Sequence, residues 1–531
     1  MLAAGAALPV LAMSRPGRAQ PFGPQPSLAA AMLADCRDYG LPGMATATRD
    51  AAGASASAYT DAGFTDATLF EIGSISKSLV AIAIHRLVDD GRLALDAPVQ
   101  PIVPDLPLPD AAITLVQLLD HAAGLPDGAP LFPPVPGGRL WTGYAPGARF
   151  SYSNTGYMLL GAVLEAAAGQ PFAVALQRLA LDPIGMASSV PVLRAADRDR
   201  FATGHMMAFP ARAARPHAPL AVAPWVDMDD PAGSVGATMP DMARYMAFLA
   251  AAANGQANGV LSPRATRDFA MRDGVADPEA APDARYASGL IHRVMAGRRV
   301  IEHTGGMFSF CASMTIDLAS GAGCFAGTNV SLGGYRPRRI SREASRALAG
   351  LPPADAPLAP TPFAIPADWK GAGRWIAANG DVLALDRGGC SFAGKSAGLW
   401  SGGSGLVTDH PALADWPIET DGDGLWWRDR RFMRSRPAPA QPTPPALAAL
   451  EGVYVTNDPW YAGGIAVIAR RGALHIAGVG ALAAHADGSW RFDDPALACE
   501  RFWFENIVGG RPQQLNVSGN LLRRAAHRRD W

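Results

Sequence analysis

The stretch FEIGSISKSLVAIAIHRLVDDG, residues 70–91, decides the fold. It places Ser74 three positions before Lys77 and follows both with a run of mostly apolar residues. Residues i and i+3 share one face of a helix, so the lysine amine can come within hydrogen-bond reach of the serine hydroxyl. Burial lowers the pKa of a lysine, which can then take the serine proton. We therefore predict a buried helix that begins near Ser74 and carries a nucleophile together with its base.

Two later segments add the other groups that acyl transfer needs without a Ser-His-Asp triad. The first, PGARFSYSNTGYMLLG, places Tyr152 and Asn154 just before a helix. Tyr152 can relay the proton to a leaving group, and Asn154 can hold both the lysine and a substrate amide. The second, VIEHTGGMFSF, ends in glycines on a predicted strand, so Gly306 can present a backbone N–H to an oxyanion.

Taken together, GSISKS, YSN and HTGG resemble the three signatures of the serine β-lactamase-like hydrolases. This family includes class C β-lactamases, DD-peptidases, D-aminopeptidases and related esterases. The resemblance covers about residues 26–351. It implies that Ser74, Lys77 and Tyr152 are catalytic, and it also implies a set of substrate-binding residues: Asn154, His303, Thr304, Gly305 and Gly306.

His303 departs from the β-lactamase pattern, which has a lysine there that helps bind the substrate carboxylate. D-aminopeptidases of the family have a histidine at this position and two C-terminal β-barrel domains, a layout similar to that of this chain. The resemblance therefore implies a peptidase or aminopeptidase acting on short peptides or amides, including those of D-amino acids. Two alternatives stay open: an esterase or weak β-lactamase on small acyl donors, and a penicillin-recognising sensor that acylates without turnover.

The chain divides at two Pro-rich linkers, residues 351–369 and 436–446. Before them, helical and strand patterns alternate, and we predict an α+β hydrolase domain over residues 20–350. Within it we expect a helix that stops at Gly91, a helix that starts at Thr238, and a hairpin in residues 309–330. His121 is expected to be a structural histidine at a helix end. After each linker comes a similar Trp-rich segment of alternating apolar and polar residues. We predict two small antiparallel β-barrel-like domains, at 367–435 and 447–531, the second lipocalin-like. Their loops at residues 456–464 and 421–424 are candidates for restricting access to the site.

Composition limits the partners of the protein. Hydrophobic residues make up 49% of the 531 residues and the net charge is −1, which argues against disorder and against nucleic-acid binding. The five cysteines show no CxxC or zinc-type spacing, and no HExxH or EF-hand pattern occurs. We expect no metal, no cofactor and no stable membrane insertion, and a small peptide, amide or ester as substrate.

The first 19 residues contain a short apolar run followed by small residues at Gly17 and Ala19, which is typical of a signal peptide. The usual basic n-region is missing. We predict a periplasmic or secreted protein; the alternative is an ordinary disordered N-terminus on a cytoplasmic one.

A second serine motif competes with Ser74. The pentapeptide GKSAG, residues 394–398, matches the G-x-S-x-G nucleophile elbow around Ser396. That elbow requires a helix after the serine, whereas LWSGGSG follows here and predicts a turn. We therefore assign the nucleophile to Ser74.

Overall fold

The structure is a computed structural model that describes residues 12–13, 27–106, 108–209, 212–402, 405–437, 443–456, 463–470 and 472–525. A domain of mixed helices and strands comes first, and two closed β-barrels follow it. The helices are α1 (Leu28–Tyr39), α2 (Ser76–Asp89), α3 (Leu115–Leu119), α4 (Asn154–Ala168), α5 (Phe172–Leu176), α6 (Asp182–Ile184), α7 (Met239–Ala253), α8 (Pro263–Ala270), α9 (Arg338–Leu348) and α10 (Pro445–Leu450).

The first domain is built around a nine-stranded antiparallel sheet with the strand order β1-β3-β2-β13-β12-β11-β10-β9-β8. Short strands β4 and β7 pair with each other, and β5, β6 and β14 form a separate small sheet. The strands are β1 (Ala12–Met13), β2 (Met44–Arg49), β3 (Ser55–Tyr59), β4 (Phe70–Glu71), β5 (His205–Met207), β6 (Leu220–Val222), β7 (Gly236–Ala237), β8 (Val275–Ala276), β9 (Arg285–Ala287), β10 (Leu290–Met295), β11 (Arg298–Gly306), β12 (Cys311–Asp317), β13 (Gly323–Thr328) and β14 (Val330–Ser331).

Helix α2 is the centre of this domain. Nearly all of its residues are buried, including polar Ser76, Lys77, Ser78 and His85. A helix that is covered on every side lies inside a core rather than on its surface. The predicted stop at Gly91 is confirmed, since Gly91 has φ of 69°. The sequence thus predicted the helix and its burial, and the structure adds that the burial extends all round it.

The central sheet has a core on each face. Alternate residues of β2 point to opposite sides, so Ala45 and Ala47 join the larger core, which contains α2 and α7, while Met44 joins the smaller core next to α1 and α9. The predicted hairpin near residue 320 is confirmed as β12 and β13, which pair in register from Cys311–Thr328 onwards. Helix ends also follow their predicted caps, as at Thr238, whose side chain accepts the Asp241 N–H.

The two C-terminal barrels each contain eight antiparallel strands, which confirms the predicted fold class. The first barrel closes by pairing its first and last strands at Ile376 and Met433, and the second closes at Tyr454 and Arg524. Each has an apolar core of its own. Their strands are β15 (Gly373–Ala377), β16 (Val382–Leu385), β17 (Gly389–Phe392), β18 (Lys395–Gly402), β19 (Gly405–Thr408), β20 (Ile418–Asp421), β21 (Gly424–Trp427), β22 (Arg430–Met433), β23 (Gly452–Thr456), β24 (Gly463–Arg470), β25 (Ala473–Ile476), β26 (Gly480–Ala484), β27 (Trp490–Phe492), β28 (Phe502–Val508), β29 (Arg511–Val517) and β30 (Asn520–Arg524).

The predicted signal peptide, residues 1–19, lies outside the described residues apart from Ala12–Met13, which form β1 and pair with β3. Within the described part of the chain, no single helix has both the length and the apolarity to cross a membrane. Helix α4 and the segment Phe172–Ile184 reach that length and composition only as a pair, which is bent by 80°.

Candidate active site

Ser74 lies in a single 3₁₀ turn, Gly73–Ile75, that leads directly into α2. Two glycines allow this turn to lie where it does, one within the turn and one on the strand that packs against it. Gly73 has φ of 54°, which a side chain disfavours, and a Cβ there would come within 2.6 Å of the backbone nitrogen of Gly306. Gly305 is equally restricted, because its Cβ would lie 1.9 Å from the Ile72 carbonyl oxygen. The end of β11 therefore passes directly against the turn that carries the serine.

Lys77 has no solvent-exposed surface, and its Nζ has three neighbours. It lies 3.0 Å from Ser74 Oγ, 2.6 Å from Asn154 Oδ1 and 2.8 Å from the Ala232 carbonyl oxygen. Burial lowers the pKa of Lys77 to about 7, while the charges of Asp230 and Asp127 oppose that shift. At neutral pH a large share of the amine is therefore uncharged.

The geometry around Nζ suits a neutral amine. An uncharged amine has two N–H donors and one lone pair. The amide oxygen of Asn154 and the carbonyl oxygen of Ala232 only accept, so they take the two N–H groups. The lone pair is then directed at the Ser74 hydroxyl, which can donate to it. This arrangement can remove the proton of Ser74.

Tyr152 completes the predicted trio. Its ring centroid lies 4.9 Å from Lys77 Nζ, and its hydroxyl lies near enough to Ser74 for the two to interact. Burial raises the pKa of Tyr152, and the interaction with Ser74 only partly offsets the rise. The phenol is therefore protonated at neutral pH and can pass a proton along, whereas Lys77 is the group with the pKa of a base.

The segment before α4 is fixed by local hydrogen bonds. The Ser153 side chain caps the helix by accepting the Gly156 N–H and donates to the Pro126 carbonyl oxygen at 2.7 Å. Asn154 donates its side-chain N–H to Asp127 Oδ1 at 2.9 Å, which orients its Oδ1 towards Lys77. The loop that contains Pro126 and Asp127 thus sets the position of both Tyr152 and Asn154.

His303 lies on β11 with only 3% of its surface exposed. Its Nδ1 lies 2.7 Å from the Thr304 carbonyl oxygen and its Nε2 lies 3.1 Å from the Tyr286 hydroxyl. The carbonyl only accepts, so Nδ1 carries the proton and Nε2 accepts from Tyr286. Burial and the nearby Lys77 lower the pKa of His303 to about 3, so the ring is neutral. Thr304 and Gly306, by contrast, are half-exposed.

The structure brings Ser74, Lys77, Tyr152, Asn154 and the β11 glycines into one site, and it adds residues that the sequence did not indicate. Asp127 binds Asn154, Asp230 acts electrostatically on Lys77, and Tyr286 binds His303. None of these belongs to a short motif, so only the fold reveals them.

His121, which the sequence assigned a structural role at a helix end, lies just after α3 with φ of 56°. Its ring packs against Tyr152 at a centroid distance of 4.2 Å and an interplanar angle of 41°, and its Nδ1 accepts the Ser153 N–H at 3.1 Å. It therefore also packs against the candidate catalytic tyrosine.

The competing serine lies elsewhere. Ser396 is an exposed residue of β18, paired with Ser391 across a hairpin of the first barrel, and the next element along the chain is strand β19 rather than a helix. Among the described residues, no group of three or more histidine, cysteine, aspartate or glutamate side chains is placed to hold a metal ion.

The second barrel reaches the site through residues 498–503 and 516–520. Glu500 accepts the Asp127 backbone N–H at 2.9 Å, and Trp141 donates to the Cys499 carbonyl oxygen at 2.7 Å. The sequence indicated the loops at 456–464 and 421–424 as candidates for restricting access. Residues 457–462 lie outside the described residues, so this expectation stays a prediction. No short pattern marks Glu500, whose contact with Asp127 spans 373 positions of the chain.

Comparison with known proteins gives relatives over part of the chain. A segment of 147 residues is 36% identical to esterase EstB of Burkholderia gladioli, covering 22% of this chain and 37% of that protein. A segment of 143 residues is 30% identical to the D-aminopeptidase of Gluconobacter oxydans (strain 621H), covering 24% of this chain and 27% of the relative. The chain thus matches well under half the length of these curated relatives.

The fold has a counterpart that covers nearly the whole chain. The octameric penicillin-binding protein homologue from Pyrococcus abyssi superposes with a TM-score of 0.54 over 93% of this chain and 99% of that one, at 18% sequence identity. In sequence, residues 28–348 match the family model described as Beta-lactamase. That match covers more than half of the chain and includes every residue of the site in the first domain. The chain belongs to the beta-lactamase family of serine hydrolases, which has esterase and D-aminopeptidase relatives.

Proposed function

We propose that the protein is a serine hydrolase that forms an acyl-enzyme on Ser74. The observation that carries this proposal is the arrangement of Lys77 Nζ, whose two acceptor neighbours leave its lone pair directed at Ser74 Oγ, 3.0 Å away. A lysine with a pKa of about 7 is matched to proton transfer near neutral pH.

In the proposed first half-reaction, the Ser74 hydroxyl gives its proton to Lys77 while Oγ bonds to the substrate carbonyl carbon. The backbone N–H groups of Ser74 and Gly306 stabilise the oxyanion that forms. When the intermediate collapses, the bond to the leaving amine or alcohol breaks. The proton passes from Lys77 through Tyr152 to that leaving group, and the acyl-enzyme remains.

In the second half-reaction, water attacks the acyl carbonyl and gives its proton to Lys77 through Tyr152. The bond to Ser74 Oγ then breaks, Oγ recovers the proton, and the acid is released. Tyr152 stays a neutral relay throughout, since its raised pKa disfavours a phenolate. Every proton taken is returned, so the cycle needs no cofactor.

We propose short peptides or amides with a free amino group as substrates, including those of D-amino acids. The neutral His303 supplies no cation for a substrate carboxylate. On the Tyr152 side of the site the ionisable groups are acidic, since Asp127, Asp230 and Asp277 all act electrostatically on Tyr152. That side favours an ammonium group over a carboxylate, whereas the Arg336 guanidinium lies against Gly306 on the other side. The D-aminopeptidase relative supports this choice, and the esterase relative supports small esters as the second candidate.

Active-site labelling tests the proposed nucleophile. A fluorophosphonate should add its mass to the peptide that contains Ser74, and labelling of Ser396 instead would overturn the assignment. D- and L-alanine p-nitroanilide, p-nitrophenyl acetate and a chromogenic β-lactam then rank the substrates. We expect the free-amine anilides to lose activity when they are N-acetylated. A single burst without turnover on every substrate would favour the sensor alternative.

His303→Lys tests the substrate class at the same site. A lysine there adds an ammonium where the ring is neutral, so β-lactam turnover should rise relative to anilide turnover. An equal loss on all substrates would instead mean that His303 is structural or part of the proton relay.

A further inference from the structure

The loop of residues 126–129 lies between the active site and the second barrel. On its inner side it binds the segment that carries Tyr152 and Asn154. Its Pro126 and Ala129 carbonyl oxygens accept the hydroxyls of Ser153 and Thr155, both at 2.7 Å. The loop therefore receives the first turn of α4 along its length.

Asp127 makes the contacts nearest to the lysine. Its Oδ1 accepts the Asn154 backbone N–H at 3.2 Å and the side-chain N–H at 2.9 Å. With both donors bound to one carboxylate, the Asn154 amide can turn only one way, which directs Oδ1 to Lys77 Nζ at 2.6 Å. A displacement of Asp127 would thus move the Asn154 amide oxygen and change the position of the Lys77 amine that faces Ser74.

The outer side of the loop is held by the second barrel. Glu500 Oε1 accepts the Asp127 backbone N–H at 2.9 Å, and Asn520 donates to the Gly128 carbonyl oxygen at 3.0 Å. Glu500 is itself fixed, because buried Ser518 donates its hydroxyl to Oε2 at 2.6 Å. One carboxylate of the barrel thus binds the backbone of the residue that orients Asn154.

From this continuous chain of contacts, we propose that Glu500 is a positioning residue for the active site, acting through Asp127 and Asn154 on Lys77. The inference rests on the proposed function, since positioning matters only if Lys77 activates Ser74. Glu500 touches neither the substrate nor Ser74. Its effect is to hold the loop at the distance at which Asn154 Oδ1 reaches the lysine.

Glu500 holds the loop through its hydrogen bond to the Asp127 backbone N–H rather than through its negative charge. Burial raises the pKa of Glu500, and repulsion by the charge of Asp127 adds a smaller rise. A glutamine keeps the acceptor for the Asp127 N–H and removes that repulsion. Its amide N–H can donate to Ser518, whose hydroxyl has the Arg501 carbonyl oxygen 3.4 Å away as its next acceptor. An alanine keeps none of these contacts.

The test compares Glu500→Ala, Glu500→Gln and Asn516→Ala in the full chain. Asn516 is the matched control for attachment of the barrel. It donates to the Pro134 carbonyl oxygen at 2.7 Å, outside the 126–129 loop, and accepts the Gly519 N–H at 2.8 Å, so its removal loosens the 516–520 turn but keeps the carboxylate that binds Asp127. Each variant is acylated with a fluorophosphonate over a range of pH, and p-nitrophenyl acetate turnover gives kcat and KM.

We expect Glu500→Ala to acylate about 10- to 100-fold more slowly, with the loss in kcat rather than KM. Its pH midpoint should rise, because a loosened loop admits water around Lys77 and reduces the burial that lowers the lysine pKa. Glu500→Gln and Asn516→Ala should each stay within about threefold of the wild type. Equal losses in Glu500→Ala and Asn516→Ala would overturn the proposal in favour of general packing, as would wild-type rates in Glu500→Ala.

Hydrogen exchange separates this inference from the proposed function. Peptides that cover residues 126–129 and 153–155 should exchange faster in Glu500→Ala than in Asn516→Ala. Unchanged exchange there overturns the positioning role even if the rate falls. If the wild type takes up no label at Ser74, the proposed function fails, and Glu500 then has no role in catalysis. Hydrogen exchange would still show whether the contact between Glu500 and Asp127 holds the loop in place.

Discussion

The first barrel, residues 373–433, and the second barrel, residues 452–524, are both closed antiparallel barrels of eight strands. Their neighbours differ. The first contacts the residues around 212–215, where Asp415 pairs with Arg212 at 3.1 Å and Arg215 lies over the Trp400 ring at 5.6 Å. The second contacts the loop at 126–129 beside the candidate catalytic residues. Two barrels of the same architecture can thus differ in their effect on the active site because of a few contacts. The fold alone does not reveal this difference.

The largest expected effect concerns the two serines that match nucleophile motifs, Ser74 in the hydrolase domain and Ser396 in the first barrel. Ser74→Ala should lower kcat for p-nitrophenyl acetate by about 10⁴- to 10⁶-fold, because it removes the attacking oxygen. Ser396→Ala, in the first barrel, should leave kcat unchanged. Thermal unfolding of both variants checks that each remains folded. Retained activity in Ser74→Ala would contradict the assignment of chemistry to the first domain.

The next comparison uses one tryptophan from each barrel. Trp503 of the second barrel packs against Trp141 with centroids 5.6 Å apart, and Trp503→Ala should cost about 3–5 kcal/mol in the free energy of unfolding. It should also slow acylation, since Trp141 binds the segment next to Glu500. Trp400→Ala of the first barrel should cost about 1–3 kcal/mol, because that ring is half-buried, and should leave acylation unchanged.

Denaturant unfolding and fluorophosphonate labelling, measured on the same samples, give both quantities. Slower acylation in Trp400→Ala, at a temperature where that variant is fully folded, would mean that the first barrel also acts on the site.

The pH dependence of acylation can be compared in variants of two aspartates, one beside the active site and one in the first barrel. Acylation needs the neutral form of Lys77, so its rate should rise with pH to a midpoint near the lysine pKa of about 7 and fall about tenfold for each pH unit below it. The charge of Asp127 raises that pKa, so Asp127→Asn should move the midpoint to lower pH. Asp415→Asn, in the first barrel, should not move it.

Stopped-flow labelling at constant ionic strength measures these midpoints. A rate that is independent of pH from about 5 to about 9 would argue that Lys77 is not the base.

The smallest effect is expected at the surface ion pair of the first barrel. Asp415 and Arg212 remain substantially exposed, and such pairs contribute about 0.2–1 kcal/mol, less at high salt. Arg212→Gln should therefore change the unfolding midpoint only slightly and leave labelling of Ser74 untouched. A large loss of stability would show that the first barrel depends on this contact far more than its exposure suggests.

The sequence predicted most of what local patterns encode. Apolar spacing predicted α2, Thr238 predicted the start of α7, and alternating residues after the linkers predicted two β-barrels. These features depend on neighbours a few positions away, so propensity and periodicity report them. The spacing of Ser74 and Lys77 likewise fixes their proximity, because a helix leaves little freedom at i and i+3.

What the sequence did not predict depends on distant contacts. Asp127 and Glu500 have no motif around them, and their meeting requires the whole fold. His121 was predicted to be a structural histidine at a helix end, yet its positive φ and its contact with the Tyr152 ring follow from tertiary packing. The neutrality of His303 comes from burial beside Lys77, which no local pattern expresses.

The contact between Asp127 and Glu500 also determines when, during synthesis of the chain, the active-site loop can be held in place. The two residues are 373 positions apart, and a ribosome adds about 5–20 residues each second, so Glu500 is made about 20–75 s after Asp127. In the last part of that interval, after residue 350, the nascent chain contains the whole hydrolase domain, but Glu500 is not yet there to bind the outer side of the 126–129 loop. The contact is thus a late step of biosynthesis, and a chain that stops before the second barrel never completes it.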